Sequence, residues 1–319
     1  MQKILKLKAM KNAYCDAVGL SLGEFCDFCE IEDEIDIIQN LTDEEIEKIC
    51  EYAVLKNKLA GVGELFLKVP KPNVAKRFFQ QYQICGKEIL SAKLFESFTL
   101  KDLVGNQSII EVESLLEYNE DYLSKIVDFS ASTQMPVLIK MGQTLEEVGK
   151  VVNKFNSSPA EVLEDYGFLD RECYIYGLNF LDKEDQKLLK SYNPTLILSP
   201  RDDGESGRGA INLYNLIFND LKFVFSSGKC YNIDMFFEGK LALLNTSNLM
   251  YQRDLVSSSD VLSALQSEYG EGNLEIDDDA LQNTILDHKI EIKDANLEKK
   301  ILALREEIKL IAKKIKEKI

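Results

Sequence analysis

Two arginines stand in a polar, glycine-rich segment, Ser-Pro-Arg-Asp-Asp-Gly-Glu-Ser-Gly-Arg-Gly at residues 199–209. Arg201 and Arg208 carry planar guanidinium groups, which bind a carboxylate or a phosphate through paired hydrogen bonds. The segment follows an apolar run at 195–199 that is typical of a buried strand. The sequence therefore predicts Arg201 and Arg208 as ligands of an anion. The alternative is a solvated loop in which these arginines pair with nearby aspartates.

Metal and thiol chemistry has little support in the residue counts. Cys26 and Cys29 have the spacing of half a zinc site, but no second pair of this spacing and no nearby histidine completes it. A structural zinc and a redox pair are the alternatives to plain reduced thiols. The chain has a single histidine, His288, which cannot supply the three or four imidazoles of a multi-histidine metal centre.

The composition is that of a globular protein with a strong acidic excess. Its 319 residues are 45% hydrophobic and 29% charged, and the formal net charge is −16. Repulsion by a polyphosphate argues against nucleic-acid binding. No apolar run reaches the roughly 18 residues of a membrane helix, and the N-terminus lacks the features of a signal peptide. The seven scattered cysteines indicate reduced thiols. We therefore expect a cytoplasmic protein that binds neither nucleic acid nor membrane.

Buried strands and amphipathic helices alternate along most of the chain. The predicted strands are 61–69, 108–112, 136–141, 173–180, 195–199 and 222–227, and the predicted helices are 42–57, 119–132, 144–154, 182–191 and 210–220. Thr42 and Glu45 form a capping box at the start of the first helix. Such alternation predicts a parallel sheet with helical crossovers. At this length a closed (β/α)8 barrel is favoured over an open doubly wound sheet, because no Gly-x-Gly-x-x-Gly joins a strand to a helix.

The last segment has a different pattern. An apolar stripe repeats at intervals of four and three residues on a background rich in Glu, Lys, Leu and Ala. We predict a barrel over 1–290 and a C-terminal amphipathic helix over 291–319. This helix either packs on the barrel or forms a short coiled coil with a second copy or a partner protein. Its stripe consists of Leu297, Ile301, Leu304, Ile308, Ile311 and Ile315.

Five segments together carry a resemblance to a known family. They are NAYCDAVG (12–19), PVLIKMGQTLEEV (136–148), YGLNFLDKED (176–185), LILSPRDDGESGRG (196–209) and FVFSSGKCYNIDMFFEGKLALL (223–244). Their order and spacing resemble the amidohydrolase superfamily, in the branch of chlorohydrolases, S-adenosylhomocysteine deaminase and aminofutalosine deaminase. The resemblance covers roughly residues 10 to 250. It implies a TIM-like (β/α)8 barrel.

The family's metal ligands have no counterpart of the same type in this sequence. The resemblance implies a zinc or iron ion held by histidines and an aspartate, with a glutamate that moves protons. The histidine positions fall on Tyr14, Asp16, Lys140, Tyr176 and Asn179. The glutamate position falls on Gln143, and the aspartate position falls on Gly228, or on Ser227 in a register shifted by one residue.

The changed positions predict a catalytically silent barrel that acts as an interaction or regulatory module, with no cofactor and no metal. Lys140 replaces the metal's positive charge in this interpretation, paired with Asp16 or with a neighbouring carboxylate. Two alternatives stay open. One is a divergent enzyme of the hydrolase and deaminase family with metal-free chemistry at Lys140, for example as a Schiff-base lysine. The other is a non-catalytic binder of a nucleoside-like ligand.

Overall fold

A computed structural model describes residues 4–25, 34–93, 108–267, 274–277 and 292–317. Cys26, Cys29 and His288 lie outside these ranges. The strands within these ranges are β1 (Ile4–Leu7), β2 (Met10–Asp16), β3 (Val62–Lys68), β4 (Cys85–Ser91), β5 (Ser108–Val112), β6 (Val137–Met141), β7 (Cys173–Gly177), β8 (Thr195–Leu198), β9 (Phe223–Phe225) and β10 (Leu274–Asp277).

Most of the described helices lie between successive strands, and the last one follows β10. They are α1 (Ala17–Gly23), α2 (Glu34–Gln39), α3 (Asp43–Leu59), α4 (Lys76–Gln81), α5 (Glu120–Thr133), α6 (Leu145–Phe155), α7 (Pro159–Asp165), α8 (Lys183–Tyr192), α9 (Pro200–Glu205), α10 (Leu213–Phe218), α11 (Met235–Met250), α12 (Ser258–Leu265) and α13 (Ala295–Lys316). In the part of the chain that the structure describes, no helix combines the length and apolarity needed to cross a membrane.

The main sheet is the predicted barrel. Its eight strands follow one another in chain order from β2 to β9. Gly228, just beyond β9, pairs in parallel with Cys15 of β2, so that the sheet returns to its first strand. The (β/α)8 fold is therefore confirmed, and the open doubly wound sheet is excluded. The strands β1 and β10 form a separate antiparallel pair.

Local sequence explains why the helices begin where they do. The capping box at α3 is present, because Thr42 Oγ1 accepts from the Glu45 amide and Glu45 Oε2 accepts from the Thr42 amide. Asp182 caps α8 in a similar way by accepting from the amides of Glu184 and Asp185. The segment 199–209 differs from the predicted solvated loop, because its first half forms helix α9.

Internal contacts divide the chain into two compact units. Unit 1 comprises Met1–Glu88, Ser226–Phe237 and Leu265–Ile319, and unit 2 comprises Ile89–Phe225 and Glu238–Ala264. The C-terminal helix therefore belongs to the same unit as the first strands. The division into 1–290 and 291–319 stays a prediction.

Within unit 1, the C-terminal helix α13 packs against α3 and α1. Leu304, Ile308, Ile311 and Ile315 of the apolar stripe are buried there. Arg305 donates to Glu24, at the end of α1, and reinforces this packing. The structure thus favours the packing helix over the coiled coil. Contact with a second chain through the stripe stays a prediction, and it would require these side chains to leave α3.

Shortening a buried stripe residue tests the packing of α13. Ile308 is fully buried, so Ile308→Val is expected to lower the free energy of unfolding by about 1 kcal/mol. Leu310→Val, at an exposed position of the same helix, is the control and should change it by less than about 0.5 kcal/mol. Urea unfolding at several protein concentrations gives the measurement. A destabilisation that depends on protein concentration would instead assign the stripe to contact between chains.

Candidate active site in unit 2

Lys140 lies on β6 and contacts residues of the strands on both sides. Its Nζ is 3.0 Å from Glu111 Oε1 on β5 and 5.4 Å from the ring centroid of Tyr176 on β7. Glu111 is fully buried. The lysine therefore has the neighbouring carboxylate that one of the sequence alternatives required. That carboxylate is Glu111. Asp16, the other partner proposed for Lys140, lies near a different lysine, Lys68.

Tyr176 connects this ion pair to the segment that follows β8. Its hydroxyl donates to Asp202 Oδ2 over 2.6 Å, and Arg208 Nη2 lies 2.7 Å from the same oxygen. Burial raises the pKa of Tyr176 well above its ordinary value, and the negative charge of Asp202 adds to this effect. The phenol therefore stays protonated and serves as a hydrogen-bond donor.

Asp203, next to Asp202 on α9, has the properties of a general base. The carboxyl is 3% exposed, and burial raises its pKa from 3.8 to about 6. Arg208 Nε donates to Asp203 Oδ1 over 3.2 Å and offsets part of this rise, as does the nearby Asn179 amide. A carboxyl with this pKa is mostly ionised near neutrality and still takes up a proton readily.

Arg208 also reaches the loop after β6, because its Nη1 donates to Gln143 Oε1 over 3.1 Å. The structure thus brings together five residues that the sequence analysis named. They are Lys140, Gln143, Tyr176, Asn179 and Arg208. All lie on or just beyond the carboxyl ends of β6, β7 and β8. This is the end at which barrel enzymes bind and transform their substrates.

Unusual backbone at the end of β7 helps to position these groups. Gly177 has a φ of 108°, and a Cβ there would lie 2.6 Å from Gln143 Cγ and 2.7 Å from the Met141 carbonyl oxygen. Leu178 follows in a left-handed conformation with a φ of 67°, which is strained for a branched side chain. Its amide donates to the Met141 carbonyl over 3.0 Å. The chain accepts this strain at the turn that presents Asn179.

The two predicted anion ligands are both engaged by carboxylates. Arg208 pairs with Asp202 and Asp203, as the alternative of internal pairs expected. Arg201 pairs with Glu238 of α11, whose Oε1 lies 3.1 Å from Arg201 Nη2. Neither arginine is solvated as the loop alternative supposed, since their side chains are 11% and 18% exposed. An external anion on either one stays a prediction.

The remaining predicted positions lie in unit 1, at the end of β2. Asp16 is buried, and its Oδ1 accepts from the amides of Val18 and Gly19, so that it caps α1. Its Oδ2 is 4.0 Å from Lys68 Nζ. Gly228 exchanges backbone hydrogen bonds with Tyr14 and Asp16. In unit 1 these residues therefore have a clear structural role.

The neighbouring thiol is not set up as a nucleophile. Burial raises the pKa of Cys15 to about 12, so that the reactive thiolate is scarce near neutrality. Asn57 Nδ2 lies within hydrogen-bond distance of its sulfur.

The metal that the resemblance implies does not fit the described residues at the expected ligand positions. In the part of the chain that the structure describes, no group of three or more His, Cys, Asp and Glu side chains could hold a metal ion. The position of one histidine ligand carries the Lys140 ammonium, which repels a cation. The loss of metal binding by the whole chain stays a prediction.

Four acidic residues of unit 2 were not recognised from the sequence. They are Glu111, Asp202, Asp203 and Glu238. The strand sequence SIIEV could have indicated Glu111, because a glutamate inside a buried strand needs a charged or hydrogen-bonding partner. The burial of Asp202 and Asp203 on α9 was not predicted, because their segment was interpreted as a solvated loop.

The sequence is similar to 5-methylthioadenosine/S-adenosylhomocysteine deaminases. It is 20% identical over 171 residues to that of Caldicellulosiruptor saccharolyticus, a match spanning 51% of this chain and 40% of that protein. It is 27% identical over 111 residues to that of Thermococcus onnurineus, spanning 34% and 26%. The matches thus cover less than half of these curated relatives. No family model matches the chain.

Solved structures of deaminases share the fold over nearly the whole chain. An adenosine deaminase from Xanthomonas campestris with bound zinc has a TM-score of 0.73 at 13% identity, covering 96% of this chain and 86% of that one. A guanine deaminase from C. acetobutylicum with bound guanine has a TM-score of 0.69 at 15% identity, covering 95% and 84%. At such identities the likeness shows the fold alone.

The predicted silent module is wrong, whether as a regulatory pseudoenzyme or as a non-catalytic binder, because the relatives and structural neighbours are deaminases and hydrolases. The error arose from equating lost histidines with lost chemistry. Histidine loss removes one kind of metal site, but a barrel can keep acid–base groups elsewhere on the same face. The barrel fold and the similarity to these deaminases support the resemblance to the amidohydrolase superfamily.

Proposed function

We propose that the chain is a divergent hydrolytic enzyme that removes an amino group from a purine-type nucleoside. The observation that carries this proposal is the buried Asp203 carboxyl, held by Arg208 beside the Tyr176–Asp202 hydrogen bond. The site lies at the carboxyl ends of barrel strands, where substrates bind in this fold. The class of substrate is taken from the deaminases to which the sequence is similar.

The proposed reaction uses water and needs no further reagent. Asp203 as carboxylate accepts a proton from a water molecule, and the oxygen of that water bonds to the ring carbon bearing the amino group. The protonated Asp203 then gives the proton to the amine as its carbon–nitrogen bond breaks. Ammonia leaves, the ring carbon keeps the oxygen, and Asp203 is again a carboxylate. One group thus acts first as base and then as acid.

The remaining groups would assist without forming covalent bonds. Arg208 and Tyr176 hold the two aspartates in place, and Gln143 restrains Arg208. The Lys140 ammonium, paired with Glu111, supplies a positive charge on the neighbouring strand. A fixed positive charge stabilises the negative charge that develops on the ring as water adds.

Ammonia release from defined nucleosides tests the proposed function. The full chain, dialysed against a chelator, is incubated with 5′-methylthioadenosine, S-adenosylhomocysteine and adenosine. We expect ammonia from at least one of them, together with the ultraviolet change from an aminopurine to an oxopurine. Glu184→Gln, which removes an exposed carboxylate on α8, is the matched control and should keep full activity.

Two results would overturn the proposal. One is the absence of ammonia from all three nucleosides at millimolar concentration. The other is an activity that disappears on chelation and returns with zinc, because the reaction would then run through a metal rather than through Asp203.

A further inference from the structure

Helix α9 carries both aspartates of the candidate site, but it is very short. It spans only Pro200–Glu205, and Ser199 at its N-cap makes no side-chain capping hydrogen bond. The first amides of a helix have no partner within the helix and need one elsewhere. A contact from another element to an amide of this first turn therefore helps to fix the orientation of α9 and of Asp203.

Glu238 of α11 provides that contact. Its Oε2 accepts from the Arg201 amide over 3.0 Å, and its Oε1 lies 3.1 Å from Arg201 Nη2. Glu238 is completely buried. One carboxyl thus binds the first turn of α9 at two points, through the backbone and through the side chain of the residue next to Asp202.

We propose that Glu238 is a positioning residue, which holds α9 against α11 and thereby sets the place and the surroundings of the Asp203 carboxyl. The proposal rests on the proposed function for its effect on turnover. Its structural part, the control of Asp203 by Glu238, can be measured without any substrate.

The energetics support a role beyond ordinary helix capping. A serine at the N-cap can satisfy the first amides at little cost, whereas burying a carboxylate with a guanidinium carries a desolvation penalty. Burial raises the pKa of Glu238 to about 8 even though Arg201 opposes the rise, and the nearby Asp202 and Glu205 charges add to it. Glu238 is thus buried next to the first turn of α9 despite its desolvation penalty. It contacts both the amide and the guanidinium of Arg201, whereas a capping serine would contact backbone amides alone.

The test compares Glu238→Gln with the wild-type protein and with Glu184→Gln as the control. Glutamine keeps an acceptor for the Arg201 amide but replaces the second carboxyl oxygen, which contacts the guanidinium, with an NH2 group that cannot accept from it. Carbon NMR of the side-chain carboxyls follows the titration of Asp203 in each folded protein. We expect the apparent pKa of Asp203 to fall from about 6 toward 3.8 in Glu238→Gln, because a loosened α9 admits water.

Activity supplies the second readout. A displaced general base lowers kcat by about 10- to 100-fold, with KM nearly unchanged, and the acidic limb of the pH profile moves with the pKa of Asp203. If Glu238→Gln does not fold, Arg201→Lys is used instead, because it loosens the same contact while keeping the positive charge. We then expect a smaller fall in the pKa of Asp203 and a smaller fall in kcat. An unchanged Asp203 titration in a folded variant overturns the proposal. If the pKa of Asp203 shifts in Glu238→Gln but the wild-type protein shows no turnover, only the proposed function is overturned.

Discussion

Replacing Asp203 with asparagine is expected to lower kcat for the proposed deamination by about 100-fold or more, which is the usual contribution of a general base. Asparagine has nearly the same shape and keeps an acceptor for Arg208, but it cannot take a proton from water. The measurement is ammonia release at saturating nucleoside. Glu184→Gln again serves as the control, and an Asp203→Asn variant within about threefold of the wild-type rate would remove Asp203 from the mechanism.

The same substitution is expected to stabilise the fold near neutral pH. The folded pKa of Asp203, about 6, lies above its ordinary 3.8, so the unfolded chain loses this proton first as the pH rises. This carboxyl therefore costs stability progressively between those values. The cost reaches about 3 kcal/mol above pH 6, since one pKa unit corresponds to about 1.4 kcal/mol.

Urea unfolding of the two proteins between about pH 4 and pH 8 measures this cost, because their difference isolates Asp203 from the other titrating groups. The free energy of unfolding of Asp203→Asn should exceed that of the wild type least at the acidic end. The difference should grow as the pH rises and then level off above pH 6. A gain in stability combined with a loss of turnover is the signature of a group kept for function. Equal stability at all pH values would mean that Asp203 is not strained by its burial.

Removing Arg208 is expected to destabilise the fold strongly. Arg208→Ala leaves Asp202 and Asp203 buried without the guanidinium that contacts both of them. Breaking a buried pair from one side costs about 3 kcal/mol or more, because a charge stays in a medium that solvates it poorly. Arg208→Lys should lose less, since it keeps the charge but not the geometry that spans both aspartates and Gln143.

The cause of this loss can be separated from simple truncation. Arg253→Ala, at an exposed arginine of the same unit, is the control and should be nearly neutral. Asp203→Asn should therefore stabilise the Arg208→Ala variant more than it stabilises the wild-type protein, because Asp203 lacks its guanidinium partner in the variant. Equal gains in the two backgrounds would mean that the two charges are not coupled as the contacts indicate.

The barrel could be predicted because its strands are apolar and short and alternate with amphipathic segments. The runs around Ile139, Ile175 and Ile197 are buried from both sides, and their sequence shows it. Strand β4 was not predicted, because its apolar pattern is interrupted by Gly86, Lys87 and Glu88. Glu88 is buried there because its carboxyl accepts from the amides of Asn73 and Ala75, which are distant in sequence.

The candidate site could be predicted only in part, for a related reason. Lys140 and Tyr176 were found through the family resemblance, which marks positions but not partners. Arg208 was found through the polar, glycine-rich segment that follows a predicted strand. Asp203 and Glu238 acquire their properties from burial, and burial is a property of the folded chain. The α11 sequence is apolar on most sides, so nothing in it marks its single glutamate as a contact of α9.

The discontinuity of unit 1 has a consequence for how the protein is made. Helix α3, near the start of the chain, finds its partner α13 only after residues 295–316 have left the ribosome. Because synthesis proceeds at about 5–20 residues per second, the apolar face of α3 stays uncovered by α13 for about 12 to 50 seconds. Unit 2 is interrupted only by residues 226–237 and can begin to fold meanwhile. A nascent chain stalled before α13 should therefore recruit chaperones through α3, while the strands that carry Lys140 and Tyr176 are already protected.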